Sequence, residues 1–273
     1  MIFGKFYQKK NIFKINMVNI KTAKEIELMK KGGEILSDVL WEVLEHLKPG
    51  VTELEIDAMA ERLIREKGGE PGFKKVKGYH HTICACTNEV VVHGIPSSYR
   101  FKEGDMVCID CGVFYGGYHT DMAETVLVQG PRYNVQGDEE KERFLDIGKR
   151  ALNAGIEHAV FGNRIGHISK AIQDIVEKEG GYSIVRSLIG HGVGRELHED
   201  PEVPGFLSGS IARTPKLIEG MTIAIEVIYN MGGADVVYTG MDDWTIKSAD
   251  GSLSAVFERS VVITDNKPVV LTK

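Results

Sequence analysis

The sequence predicts an α+β protein of two like halves, each a pair of amphipathic helices followed by β-rich runs. Three observations predict it. Capping boxes open helical patterns at Thr22 and Thr52. The stretch Gly50-Val51-Thr52…Ile56…Leu63-Ile64…Gly68-Gly69 overlays Gly162-Asn163-Arg164…Ile168…Ile175-Val176…Gly180-Gly181 at a constant offset of 112 with no gap, the mark of an internal duplication. Each half then embeds two carboxylates in apolar strand sequence: Asp110 and Asp121 in the first, Glu226 and Glu258 in the second.

Taken in order, residues 1–18 mix aromatic and isoleucine side chains with lysines at 5, 9, 10 and 14. They are expected to form an added, disordered arm, since the lysines interrupt every run long enough for a secretory apolar core. Thr22-x-x-Glu25 then opens a long helix with Ile26, Met29, Gly33, Leu36, Leu40, Val43 and Leu47 on one face, ended by Pro49-Gly50. Thr52-x-x-Glu55 opens a second helix, with Ile56, Met59, Ala60 and Leu63 inward, which closes at Gly68-Gly69. The β-rich run 82–96 ends on His93-Gly94, and the runs 106–110 and 122–128 flank Tyr115-Gly116-Gly117 as a hairpin. An acidic start at Asp138 predicts a charged helix to about His158, and Gly162 to Glu179 predicts another. Units of about 19–130 and 138–265 follow, within one catalytic domain spanning 19–273.

Composition narrows the function. With 273 residues, 42% hydrophobic content and a net charge of −6, the chain can bury a sizeable core and carries no basic footprint for specific nucleic-acid binding. No apolar run reaches transmembrane length, so no membrane partner is expected and the cytoplasm is the expected compartment. The four cysteines, Cys84-x-Cys86 and Cys108-x-x-Cys111, invite a zinc-site reading. Positions i and i+3 of a strand face opposite ways, so Cys108 and Cys111 cannot grip one ion. Buried free thiols are expected.

With the hairpin turn centred between Tyr115 and Gly116, Asp110 falls directly opposite Asp121, with Cβ atoms roughly 4.5–5.5 Å apart. Two like charges there, one of them following the apolar run 106–109, call for a neutralising divalent cation or a pair of them. In the second half, His191 lies between glycines, His198 comes seven residues later, and Glu226 and Glu258 sit among Val and Ile. Four carboxylates and an imidazole are the ligand mix of a two-metal hydrolytic site.

At these residues the chain resembles the type I methionine aminopeptidases, over roughly Asn19 to Thr264. The pieces that carry the resemblance are NEVVVHGIP (88–96), the Asp110…Asp121 hairpin, GHGVGRELHEDPEVP (190–204), Glu226, WTIKSADGSLSA (244–255) and Glu258. It implies the pita-bread fold, with a central antiparallel sheet and pseudo-two-fold symmetry. It also implies a cytosolic enzyme that removes initiator methionine from nascent polypeptides by attack of a metal-bridging hydroxide. The implied cofactors are two divalent metal ions, Co, Mn, Fe or Zn. Asp110 would chelate one ion, Asp121 and Glu258 would bridge both, and His191 and Glu226 would complete the other, Glu226 also shuttling the proton. His93 and His198 would hold the scissile amide, and Tyr79, Cys84 and Trp244 would line the methionine pocket. Leu197 stands where the family has phenylalanine and Val76 where it has tyrosine, which predicts looser side-chain discrimination. The ribosome is a further expected partner, and a monomer the expected state. Two other readings compete: an X-Pro aminopeptidase or dipeptidase of the same fold, and a catalytically inactive pita-bread binding module.

Overall fold

The computed structural model describes residues 18–130 and 138–273, so the arm expected over residues 1–18 lies, apart from Val18, outside the described residues. Helix α1 spans Ala23–Glu45 and α2 spans Glu53–Glu66. Both begin with the predicted capping box: the Thr22 and Thr52 hydroxyls accept the N–H of Glu25 and Glu55, whose carboxylates reach back to the cap. The second pair is α3, Glu139–Glu157, and α4, Ile165–Gln173, which runs on through a π-helical turn over Asp174–Glu179. Helix α4 starts later than the expected Gly162, because Gly162 is left-handed at φ +84 and Arg164 is the cap. The Arg164 N–H donates to His167 Nδ1 at 2.9 Å, in the place that Thr52 and Glu55 hold before α2.

The first half contributes strands β1 (Glu70–Pro71), β2 (Ile83–Thr87), β3 (Val90–Val92), β4 (Met106–Tyr115) and β5 (Tyr118–Leu127). The second contributes β6 (Ser183–Ile184), β7 (Gly190–Gly192), β8 (Glu199–Val203), β9 (Thr222–Asn230), β10 (Val236–Tyr238), β11 (Ile246–Ser248), β12 (Ser254–Val262) and β13 (Val269–Val270). The main sheet is antiparallel, in the order β1-β4-β5-β12-β9-β7-β8, with β2 on β4, β6 on β9 and β13 on β12. Strands β10, β11 and β3 form a smaller sheet.

Strand alternation sorts the main sheet into two faces. Val107, Ile109, Cys111 and Val113 of β4 pack in one core with α1 and α2, while Ile223, Ile225, Val227 and Tyr229 of β9 pack in another with α3 and α4. The residues between them, among them Cys108, Asp110 and Glu226, point to the other face. The cysteines follow suit: all four are buried free thiols, and Cys111 belongs to a different core from Cys84, Cys86 and Cys108.

The halves meet along a short seam. Strands β5 and β12 are in register only at Ala123↔Glu258 and Met122↔Arg259. On one side, the Thr125 hydroxyl accepts from Val256 N and donates to Val256 O; on the other, the Ser260 hydroxyl accepts from Asp121 N and donates to Asp121 O. A side-chain oxygen thus completes each end where the backbones part, so neither end leaves a buried amide unpaired. Among the described residues no helix is long and apolar enough to cross a membrane.

Candidate metal centre and active site

The hairpin register differs from the one expected. Gly116 and Gly117 are both left-handed, at φ +59 and +94, and form the two-residue turn between the paired Tyr115 and Tyr118. Asp110 therefore faces Ala123, and Asp121 faces Gly112. The two aspartates remain on one face, set diagonally. Together with Ala123↔Glu258 and Glu258↔Glu226, the pairing draws a row across four strands: Asp110, Ala123, Glu258, Glu226. One pleat along lie Asp121 and His191, the latter opposite Ala224. Only the methyl group of Ala123 lies between Asp110 and Glu258 in the row.

Asp121, His191 and Glu258 each bring a ligand atom within 4.8 Å of the others. His191 Nε2 lies 3.3 Å from Glu226 Oε1 and 3.9 Å from Asp121 Oδ2. Its Nδ1 is 2.9 Å from the Gly192 carbonyl, which can only accept, so Nδ1 carries a hydrogen and Nε2 is the nitrogen turned toward the carboxylates. Burial, then neighbouring carboxylates, push Asp110, Asp121 and Glu258 well above the usual carboxyl range. Arg259 offsets this only weakly at Glu258, as the smallest of the influences on it. Its side chain turns to the opposite face and binds Glu124 at 2.7 Å. Asp110 Oδ1 and Glu258 Oε1 are buried with no hydrogen-bond partner. Orphaned oxygens on either side of Ala123, with an imidazole nitrogen beside them, fit divalent cations and are costly without them.

Beside these side chains a cavity is lined by Phe73, Cys86, Val91, Val92, Cys108, Leu197 and Val256, with His93 and His198 at its polar end. His93 is held at φ +56, a conformation that costs a non-glycine residue about 1–3 kcal/mol and is over-represented at active sites. Gly94 follows because a Cβ there would sit 2.1 Å from the Ala85 carbonyl oxygen; this close approach to β2 aims the imidazole into the cavity. Burial pushes His93 down to about 4 and His198 well below its usual range, so both are neutral near pH 7. The His198 ring lies 4.2 Å from that of His191.

The expected methionine-pocket residues divide. Leu197 lines the cavity; Tyr79, Cys84 and Trp244 do not, although they belong to the same apolar cluster. The Tyr79 hydroxyl donates to the Ile83 carbonyl at 2.7 Å and lies 3.2 Å from Cys84 Sγ, whose thiol can donate to it, and its ring meets Trp244 edge-on at 5.2 Å. Val76 packs against this cluster half-buried. Cys86, Cys108 and Val256 were missed as lining residues, yet each lies two positions from a strand residue on the site face, and that spacing was the available signal. His93 and His191, each followed by a glycine, are not counterparts in the two halves. Ala224 pairs with His191 as Cys108 pairs with Cys86, so Cys86 is the first-half counterpart of His191.

A duplicated α+β frame carrying a carboxylate-rich metal centre defines a metallopeptidase: residues 27–265 match the family model described as Metallopeptidase family M24, and the chain belongs to that family. A methionine aminopeptidase of Clostridium perfringens is 44% identical over 94% of this chain and 99% of its own. The methionine aminopeptidase 1 of Bacillus subtilis is 39% identical over 94% and 100%. The solved methionine aminopeptidase of Thermotoga maritima superposes with a TM-score of 0.88 at 37% identity, covering 94% of this chain and all of that one. The prolidase of Pyrococcus furiosus superposes at 0.69 with 27% identity, and only 65% of its chain is covered.

Proposed function

We infer that this chain is a metal-dependent aminopeptidase that removes the N-terminal methionine of newly made polypeptides. The carrying observation is the convergence of Asp110, Asp121, His191, Glu226 and Glu258 from both halves beside an apolar cavity tipped with two neutral imidazoles. Four carboxylates at two oxygens each plus one imidazole nitrogen make nine donor atoms, more than one ion of six-fold coordination takes, which supports a pair. Such ions, when bound, polarise the scissile carbonyl and lower the pKa of water.

Asp121 and Glu258 lie on β5 and β12, the two strands between those of Asp110 and Glu226, and would hold both ions; Asp110 would serve one ion, His191 and Glu226 the other. Glu226 lines the cavity and is less buried than its neighbours, with 14% of its side chain exposed against 6% for Asp121. It takes the proton of the attacking water and passes it to the leaving amine. His93 and His198 hydrogen-bond the scissile amide and the oxygen of the tetrahedral species. Being neutral, they do so without repelling the substrate's α-ammonium group. The apolar wall then holds the methionine side chain.

Metal analysis, followed by hydrolysis of Met-Ala-Ser and X-Pro peptides with each metal added to the apo-protein, tests this reading. Faster cleavage of X-Pro peptides would replace it with the prolidase-type alternative. Within the pocket, Leu197→Phe should raise selectivity for methionine over leucine about 3- to 10-fold. A sulfur–aromatic contact is worth about 0.3–1.5 kcal/mol, and the added ring shortens the pocket. Competition between Met-Ala-Ser and Leu-Ala-Ser reads this directly, and unchanged selectivity would remove Leu197 from the specificity wall.

A further inference from the structure

The loop that carries Leu197 and His198 is fastened from an unexpected direction. Lys21, just ahead of α1, places its ammonium 2.5 Å from Glu199 Oε2, and the two side chains are 4% and 3% exposed. The same ammonium donates to the Asn19 carbonyl at 3.1 Å. The other oxygen of Glu199 accepts the Glu196 N–H at 3.2 Å, closing a ring of backbone around Leu197 and His198. Glu199 also opens β8 by pairing with Gly192, next to the ligand His191. Passage of the lysine requires Gly194, where a Cβ would lie 2.4 Å from Lys21 Cε and 2.8 Å from Glu199 Oε1. Lys21 is itself anchored, its N–H donating to the Gly220 carbonyl at 2.8 Å, ahead of β9. On the far side of the loop, Glu25 binds Arg195 and the Tyr118 hydroxyl, and His119 N donates to the Gly194 carbonyl at 2.6 Å.

We propose that Lys21 is a positioning residue for catalysis: through its buried pair with Glu199 it sets the reach of His198 to the substrate. Stability of the fold does not require such a buried pair, since burying two charges gains little over apolar packing, whereas removing one partner leaves the other stranded. What the pair supplies is a rigid base, on one side of His198, tied to the helix-bearing frame. The proposal rests on the reading above that His198 contacts the scissile amide.

The test is a double-mutant cycle between Lys21→Met and His198→Ala, read as kcat and KM on Met-Ala-Ser together with bound metal per chain. Lys21→Met is expected to lower kcat about 10- to 100-fold, the usual cost of a lost supporting contact, with KM and metal content unchanged. In the His198→Ala background the same change should have almost no further effect, because residues that act through one another are not additive. If Lys21→Met costs the same factor again in that background, or if the loss follows falling metal content, the pair is merely structural and the proposal is overturned. An unchanged kcat in Lys21→Met beside an impaired His198→Ala overturns the proposal alone; an unchanged kcat in His198→Ala overturns the reading beneath it. Should Lys21→Met fail to fold, Lys21→Gln with Glu199→Gln removes both charges, keeps a hydrogen bond between the two side chains, and carries the same cycle.

Discussion

Replacing Glu258 or Asp121 by alanine is expected to lower turnover by at least ~10³-fold, about 4 kcal/mol of barrier. Each lies on one of the two strands between β4 and β9, so in the proposed site its loss would part the first half's Asp110 from the second half's His191 and Glu226. The same carboxylates should act oppositely on the metal-free fold. Glu258 Oε1 is buried without a partner among carboxylates that raise its pKa. Glu258→Gln should therefore relieve about 1–3 kcal/mol in the apo-protein, at roughly 2–4 °C of Tm per kcal/mol for a chain of this size. Added metal stabilises the wild type by about 2.7 kcal/mol at a hundred times Kd, and this gain should shrink in the variant. Calorimetry with and without metal, beside peptide assays, measures both signs. Full activity in either alanine variant would remove it from the bridging position.

His93→Ala and His198→Ala should each cost about 10²–10³-fold in kcat while leaving the metal content near that of the wild type. Neither imidazole is needed to complete the nine-donor set, and both line the cavity beside it. His93→Ala also relaxes nothing in the backbone, because alanine at φ +56 is strained as well; a small loss of stability should accompany the loss of rate. Metal-to-protein ratios after gel filtration decide the matter. A collapse of metal binding would make these histidines ligands.

Much of this centre was legible before folding because its residues break the chemistry of their surroundings. A carboxylate after Met106–Ile109, or inside the run Ile223, Ile225, Val227 and Ile228, has no cheap explanation but a cation or a charged partner. The register was harder. Tyr115-Gly116-Gly117 admits two turn centres by composition, and only the left-handed backbone of both glycines selects Tyr115↔Tyr118. The helix boundaries were legible where a threonine and a glutamate close a box, and less so at α4, where arginine and histidine do the same work. The cavity wall escaped because lining is a property of strand parity and of a distant turn: Phe73 comes from a short 3-10 turn after β1, with no periodicity to announce it. Arg259 adjoins Glu258 in the sequence, but adjacent strand residues face apart, and it pairs with Glu124.

The register of the two halves also bears on their genetics. Asp110 and Glu226 are counterparts, but Glu258 corresponds to Ala123, His191 to Cys86, and Asp121, by the Thr125–Val256 and Ser260–Asp121 bridges, to Val256. A tandem of two first halves would have no imidazole at the 191 position and no glutamate at the 258 position; a tandem of two second halves would lack Asp121. Recombination that makes one repeat copy the other would therefore destroy the proposed ligand set whichever repeat is the donor. Selection on the metal centre works against homogenisation of the duplicated segments, and their divergence is locked in by the asymmetry of the site they share.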